Sequence, residues 1–277
     1  LTVGQACDAY MERYAIPRKR SHAEDADRIK RHIKPAIGFL LYESLTPTDV
    51  QKFFDGIKKP IEANRTLTLL STVYNVVNRF GLSQAPNPCR AVQRHKEWSR
   101  DRYLPKDKVT DLLSALSHCE PVQAAAIKLL LLTGCRKMEV LSLAWDNVDL
   151  EARTIRLSMT KNGKPRNVPL TDNAVDLFSS IPKTSKFVFP SPRDPSKHMR
   201  AVRRTWERAC KLANIEDAHL HDLRRTVGSL LVQSGVTLPV IAATLGHSNT
   251  YVTHVYARIS NEIERSALSR FSELIHG

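Results

Sequence analysis

Between His221 and Tyr256 the chain gathers two imidazoles, a guanidinium and a phenol. The stretch reads His-Asp-Leu-Arg-Arg-Thr at 221–226, continues as an apolar helix to Gly235, and then gives Leu-Gly-His-Ser at 245–248. Tyr256 follows nine residues after His247. Residues three apart share one face of a helix, so His221 and Arg224 can address one point. Gly246 allows a sharp turn before His247. Few reactions need this mixture, and attack of tyrosine on a phosphodiester is one. Guanidinium forks suit the non-bridging oxygens. A histidine with an intrinsic pKa of ~6.5 can accept the phenolic proton. The phenolate, with a pKa near ~10, leaves more easily than an alkoxide, so a phosphotyrosine stays poised for a second hydroxyl. Bond energy is conserved, and no ATP, metal or other cofactor is expected. The sequence carries no Walker loop, no Gly-x-Gly-x-x-Gly and no convincing metal cluster, His219-x-His221 being too sparse for one. Tyr251 is a rival nucleophile. Five residues on a helix turn it away from Tyr256, so the two cannot serve one site.

The segment resembles the C-terminal signature of the tyrosine recombinases, the phage integrase family, with its His-x-x-Arg, Leu-Gly-His and terminal nucleophilic tyrosine. The family interval favours Tyr256. Upstream, Thr-Gly-Cys-Arg-Lys-Met-Glu-Val-Leu-Ser-Leu at 133–143 resembles the first box of the same family. That match implies a catalytic role for Arg136, with Glu139 orienting its guanidinium from one turn away. Thr-Lys-Asn-Gly-Lys-Pro-Arg-Asn-Val-Pro-Leu at 160–170 resembles the β-hairpin that carries the family's lysine. By position this is Lys161, with Lys164 as the alternative. The resemblance thus implies a catalytic set of Arg136, Lys161, His221, Arg224, His247 and Tyr256. In that set the two arginines and His247 neutralise the phosphate, His221 takes the tyrosine's proton and Lys161 supplies one to the leaving 5′ oxygen. Arg225 departs from the pattern, because many members place histidine there; all six candidates remain intact.

What the resemblance implies about function is a site-specific DNA recombinase, an integrase acting through a covalent 3′-phosphotyrosine. Its expected partners are double-stranded DNA at specific sites, three further copies of itself in a tetramer, and accessory DNA-bending proteins. A prokaryotic or phage origin and a cytoplasmic, nucleoid-associated location go with it. A type IB topoisomerase that nicks and reseals one duplex would use related chemistry. A DNA-binding regulator without catalysis is the third reading, and the intact residues speak against it.

These groups need elements to hold them. Pro121–Thr133 is the most apolar stretch and is expected to form a core helix closed by Gly134, so that Arg136 emerges where a deep helix stops. A short helix at Met138–Leu143 would carry Glu139. Thr154–Met159 and Arg166–Leu170 read as two strands about an Asn162-Gly163 turn. A helix is expected at 172–181, a short strand at Lys186–Phe189 and a loop at 190–198. Arg200–Ala213 reads as a basic helix with Arg200, Arg203, Arg204 and Arg208 largely on one side, either facing DNA or solvated. From Asn261 to about Ile275 an amphipathic helix is expected, with Ile263, Ala267, Leu268, Phe271 and Ile275 apolar. In the family such tails dock on a neighbouring protomer; packing on its own domain is the alternative.

Residues 1–92 read as an all-α module of four helices, resembling the family's core-DNA-binding domain. The helices are Val3–Tyr14, Glu24–Ile33 (stopping near Pro35), one opened by Thr46-Pro47-Thr48-Asp49 and running to about Lys58, and Ala63–Phe80 closed by Gly81. Lys58, Lys59, Arg65 and Arg79 either meet phosphates or are solvated. Residues 93–108 are polar and basic and read as a flexible interdomain linker, in which Arg100 and Arg102 are candidate DNA contacts. Residues 109–277 would be the catalytic domain. The expected fold is therefore mainly α with a small antiparallel β-sheet.

Composition agrees with a polyanionic partner. The 277 residues carry a formal charge of +14 and a pI near 9.7. Residues 1–92 hold 14 basic against 9 acidic side chains and residues 93–277 hold 28 against 19, so both parts are positive. RNA or an anionic surface would also accept that charge. The five cysteines are scattered without a Cys-x-x-Cys pair, which argues against a disulfide framework and suits a reducing cytosol. No signal peptide and no membrane span are expected. The sequence opens on Leu1, which leaves room for an upstream arm-binding domain.

Overall fold

The computed structural model describes residues 1–98, 100–157, 165–246, 268–269 and 271–275. The chain divides into two units, Leu1–Ser99 and Arg100–Gly277.

The first unit is built from helices α1 (residues 3–18), α2 (residues 22–37), α3 (Pro47–Asp55) and α4 (Pro60–Arg79), followed by a 3-10 turn at Pro88–Ala91. Helices α1 and α2 each pass through a π turn, Met11–Ala15 and Ile29–Ile33, directly before Pro17 and Pro35. A proline lacks the N–H that the α ladder would use, and its ring crowds the preceding turn. Widening that turn lets the helix continue, so α2 ends at Ile37 rather than at its proline. The start signal of α3 works as its residue types dictate: Thr46 Oγ1 accepts from the Asp49 N–H and the Asp49 carboxylate accepts from the Thr46 N–H. The helix stops at Asp55, ahead of Gly56, and so is shorter than expected. The core centres on Tyr42 and Tyr74, whose rings stack at 4.0 Å while each hydroxyl donates to the other's backbone carbonyl.

The second unit contains α5 (Lys106–Leu116), α6 (Pro121–Thr133), α7 (Lys137–Leu141), strands β1 (Val148–Asp149), β2 (Thr154–Leu157) and β3 (Arg166–Pro169), then α8 (Asp172–Ser179), α9 (Arg203–Leu212), α10 (Asp222–Gln233) and α11 (Leu238–Leu245). The sheet is antiparallel in the order β1-β2-β3, with Ile155 opposite Val168 and Leu157 opposite Arg166. The expected class, mainly α with a small antiparallel sheet, is what the chain adopts. Helix α6 is apolar around most of its circumference, with Gln123 and Lys128 its partly exposed polar side chains, as suits a largely buried helix. It packs against α5, α7, α8, α9 and α10.

Two further expectations need correction. The short strand at Lys186–Phe189 is reduced to a single bridge between Phe187 and Ala144. The basic helix begins at Arg203, so Arg200 precedes it and does not share its face. Thr205, Trp206, Ala209 and Cys210 point inward, leaving Arg203 and Arg204 exposed outside, with Arg203 paired to Glu207.

The segment read as a linker is divided between the units. In the first unit Asn64 bonds the backbone N–H and carbonyl of His95 and the Glu97 carboxylate, and the His95 ring stacks on Phe54. In the second, Arg100 donates to Asp222 at 3.2 Å and to Asp217 at 3.1 Å, and Arg102 lies 3.6 Å from Asp217. Leu104 is buried and its N–H donates to Thr226 Oγ1. Among the described residues no helix is long and apolar enough to cross a membrane.

Candidate active site

Arg136, Glu139, His221 and Arg224 come together at the meeting point of α6, α7, α10 and α11. Helix α6 ends at Gly134, which has φ +61° and so closes the helix in the left-handed region. The same residue allows close packing, because a Cβ there would lie 2.5 Å from Leu245 and 3.2 Å from Val227. Gly134 thus brings α10 and α11 against the end of α6.

Beyond that turn Arg136 caps α7. Glu139 accepts the Arg136 backbone N–H and its guanidinium, both at 2.8 Å, and the guanidinium also donates to the Gly246 carbonyl at 2.9 Å. Burial alone would raise the Glu139 pKa. The Arg136 N–H, the Arg136 guanidinium and the nearby Arg166 charge outweigh it, and the net displacement is downward. Glu139 is therefore an anion at neutral pH, held by two cations.

Arg224 lies in the first turn of α10 and is buried, 5% exposed. Its guanidinium donates to the Gly134 carbonyl at 2.7 Å, so the α6 terminus fixes this arginine as well. His221 sits at the N-cap of α10. Its ring reaches solvent, yet its pKa is lowered, by desolvation first and then by the charges of Arg225 and Arg224, with Arg136 adding to them and Asp222 opposing. The cationic neighbours alone would give the same sign. The buried Asp222 carboxylate accepts the His219 N–H at 2.8 Å and lies 3.6 Å from Arg225, which fixes the helix start.

Three of the six residues put forward as catalytic, Lys161, His247 and Tyr256, lie outside the described residues, as do Lys164, Tyr251 and the Asn162-Gly163 turn. Gly246, immediately before His247, is described. It ends α11 with φ +64°, the turn its residue type dictates. One participant was not singled out in the sequence. Arg166, on β3, donates to Glu139 Oε2 at 3.0 Å and to the Thr244 carbonyl at 3.0 Å. The legible signal was its phase, since Arg166 shares a strand face with buried Val168, and an inward charge needs partners.

Residues 102–262 match the phage integrase family, more than half of the chain. The chain belongs to the phage integrase family. This is the family of the tyrosine recombinases, which catalyse site-specific DNA recombination, and that is the activity of this chain. The tyrosine recombinase of Thermosipho africanus is 26% identical over 272 residues, covering 91% of this chain and 94% of that protein. The tyrosine recombinase XerD of Vibrio cholerae is 30% identical over 227 residues, covering 74% and 72%. Among solved structures, the Tn1549 transposon integrase in complex with circular intermediate DNA superposes with a TM-score of 0.76 at 20% identity, over 92% of this chain and 95% of that one. A lambda integrase tetramer bound to a Holliday junction gives 0.72 at 15% identity, over 90% and 78%. The last two share the integrase fold with this chain.

Proposed function

We propose that this recombinase cleaves DNA with Tyr256 as nucleophile, in a site completed by Arg136, Arg224, His247, His221 and Lys161. The observation that carries the reading is the convergence of Arg136, Glu139, His221 and Arg224 on the end of α6, from segments more than 80 residues apart. Two of the five N–H groups of Arg136 are used on Glu139 and Gly246, which leaves donors for a phosphate oxygen. Arg224 adds a second, buried guanidinium in a setting where charge is weakly screened. His221, kept neutral by its surroundings, accepts the phenolic proton. The Tyr256 oxygen bonds to phosphorus as the bond to the 5′ oxygen breaks, and Lys161 protonates that oxygen. Rejoining reverses these transfers with a 5′ hydroxyl from another strand, so no bond energy is lost.

The partner is double-stranded DNA at specific sites. Arg203 and Arg204 on the outer face of α9, with Arg200 ahead of it, serve as backbone contacts, and the first unit serves as a core-DNA-binding domain. Arg100 and Arg102 act there only in exchange for their pairing with Asp217. The enzyme works beside the nucleoid in a cytoplasm, with accessory DNA-bending proteins where the site geometry requires them. Incubation with genomic DNA followed by sequencing of the covalently attached fragments tests the whole reading. One recurrent sequence joined through a 3′ phosphate is expected, and a plasmid bearing two copies of it should yield recombinants. Relaxed circles alone would mean nicking and resealing.

Assembly is proposed to run through the tail. Its described residues are helical at 268–269 and 271–275, and Leu268, Phe271, Leu274 and Ile275 are all exposed, Leu274 by 82%. Docking on a neighbouring protomer would cover them. Each buried side chain of this size contributes about 1.5–3 kcal/mol. Deleting residues 268–277 should therefore weaken tetramer formation on DNA by at least about tenfold, while the melting temperature of the free protein holds. Sedimentation with DNA and a thermal melt check this. A fall in melting temperature without loss of tetramer would assign the tail to its own domain.

The histidine gives a pH prediction. The acid limb of the cleavage rate should fall below the ordinary histidine value of 6.5, because desolvation and then the neighbouring cations disfavour the imidazolium. Arg225→Gln removes one of those charges and should move the limb upward. The same displacement makes folding stability decline as pH drops from the unfolded value through the folded one, since the unfolded chain binds that proton more tightly. Single-turnover rates between pH 5 and 8, roughly the range in which histidine titrates, decide it; an unmoved limb in Arg225→Gln would remove His221 from the role of base.

A further inference from the structure

Arg166 joins three segments that come from distant parts of the sequence. It begins β3, the return strand of the hairpin, with its side chain 15% exposed. One arm of the guanidinium donates to Glu139 Oε2 and lies 3.6 Å from Cys135 Sγ. The other donates to the Thr244 carbonyl in the last turn of α11. The stem and Nε pack directly on Gly246, where a Cβ would lie 2.5 Å from Nε and 2.8 Å from Cδ and Cζ. Gly246 therefore meets two demands, a left-handed turn and the close passage of this arginine. Its carbonyl is the one that Arg136 holds.

The contacts close a ring. Arg166 bonds Glu139, Glu139 bonds Arg136, Arg136 bonds Gly246, and the turn containing Gly246 is bonded back to Arg166 through Thr244. One carboxylate is shared by two guanidinium ions, so this ring carries one surplus positive charge, the sign a phosphate would neutralise. Lysine could not replace the bridge, because a point charge does not reach two acceptors on separate segments as a rigid fork does.

We propose that Arg166 is a positioning residue for strand cleavage, acting through Glu139 to hold the Arg136 guanidinium and through Thr244 to hold the turn that leads into His247. The inference rests on the reading of Arg136 as the group that neutralises the phosphate. It adds a residue of the hairpin's return strand to the machinery. Strand β3, the first arginine box and the end of α11 at Gly246 are then tied together.

The test uses a nicked suicide duplex carrying the sequence recovered from covalent adducts, with the scissile linkage either a phosphodiester or a methylphosphonate. The second lacks the negative charge that Arg136 is there to neutralise. Wild type, Arg136→Ala, Arg166→Ala and Arg166→Lys are compared by rate of adduct formation, each variant relative to wild type on the same linkage. On the phosphodiester, Arg166→Ala should slow adduct formation by about 10–100-fold, somewhat less than removal of a direct donor, and Arg166→Lys should recover only part of it. On the methylphosphonate, both alanine variants should approach wild type, to within about threefold, because the lost interaction no longer has a charge to act on. Disruption of folding would not be relieved by the neutral linkage. If Arg166→Ala melts below the assay temperature, Arg166→Lys, which keeps charge and bulk, carries the same comparison. Wild-type rates for Arg166→Ala on the phosphodiester, or equal slowing on both linkages, would overturn the inference. Failure of the methylphosphonate to relieve Arg136→Ala would instead overturn the reading of Arg136, so the two failures are distinct.

Discussion

Tyr256→Phe should bind its DNA site with an affinity within about twofold of wild type and form no covalent adduct. The variant removes one oxygen atom and no charge, and the charge of +14 that drives association is untouched. The nucleophile, however, is gone. Loss of a nucleophile from a group that works as a unit lowers turnover by on the order of 10⁴–10⁶-fold, far more than any single supporting side chain. The two measurements are a filter-binding or mobility-shift titration at stated salt and a denaturing gel of suicide-substrate reactions. Adduct formation by Tyr256→Phe would transfer the role, and Tyr251→Phe is then the variant that should abolish it.

The second large effect concerns the arginines. Arg136→Ala and Arg224→Ala should each lower cleavage by about 10²–10³-fold, the range found when a preorganised donor to a developing oxyanion is lost. Binding should fall by far less, because many other cations hold the backbone. The two variants should differ in stability. Arg224 is buried and donates to the Gly134 carbonyl, so its removal leaves that acceptor without this donor, at about 1–3 kcal/mol. Arg136 is partly exposed, and its removal chiefly releases Glu139 and the Gly246 carbonyl. Adduct rates beside chemical denaturation curves separate the two effects. Near-normal cleavage by either variant would end the charge-neutralisation assignment.

Much of this was readable without coordinates. Local chemistry decides helix ends, so Thr46 with Asp49, Gly134 and Gly246 announced their turns from residue type alone. The hairpin strands followed from alternation, and the order of the motifs carried the family. Other features depended on contacts between distant residues. The π turns before Pro17 and Pro35 carry α1 and α2 past their prolines, and in α2, where Pro35 read as a stop, the continuation buries Ile37 in the core. Arg200 falls outside its helix, because its place depends on where the chain leaves the preceding loop rather than on spacing. Arg100 and Arg102, which read as free basic residues, meet Asp217, more than 110 positions away.

By itself the sequence determined the reaction class and most of the helices and paired strands, and it named the side chains proposed to meet a phosphodiester. Those properties are local, written in side-chain chemistry and short-range spacing. The tertiary structure alone decided that Arg166 shares Glu139 with Arg136, that Arg224 is anchored to the end of α6, and that burial, with Arg136 adding to it, depresses His221. Each of these depends on distances between atoms remote along the chain, which only packing around a buried helix can set.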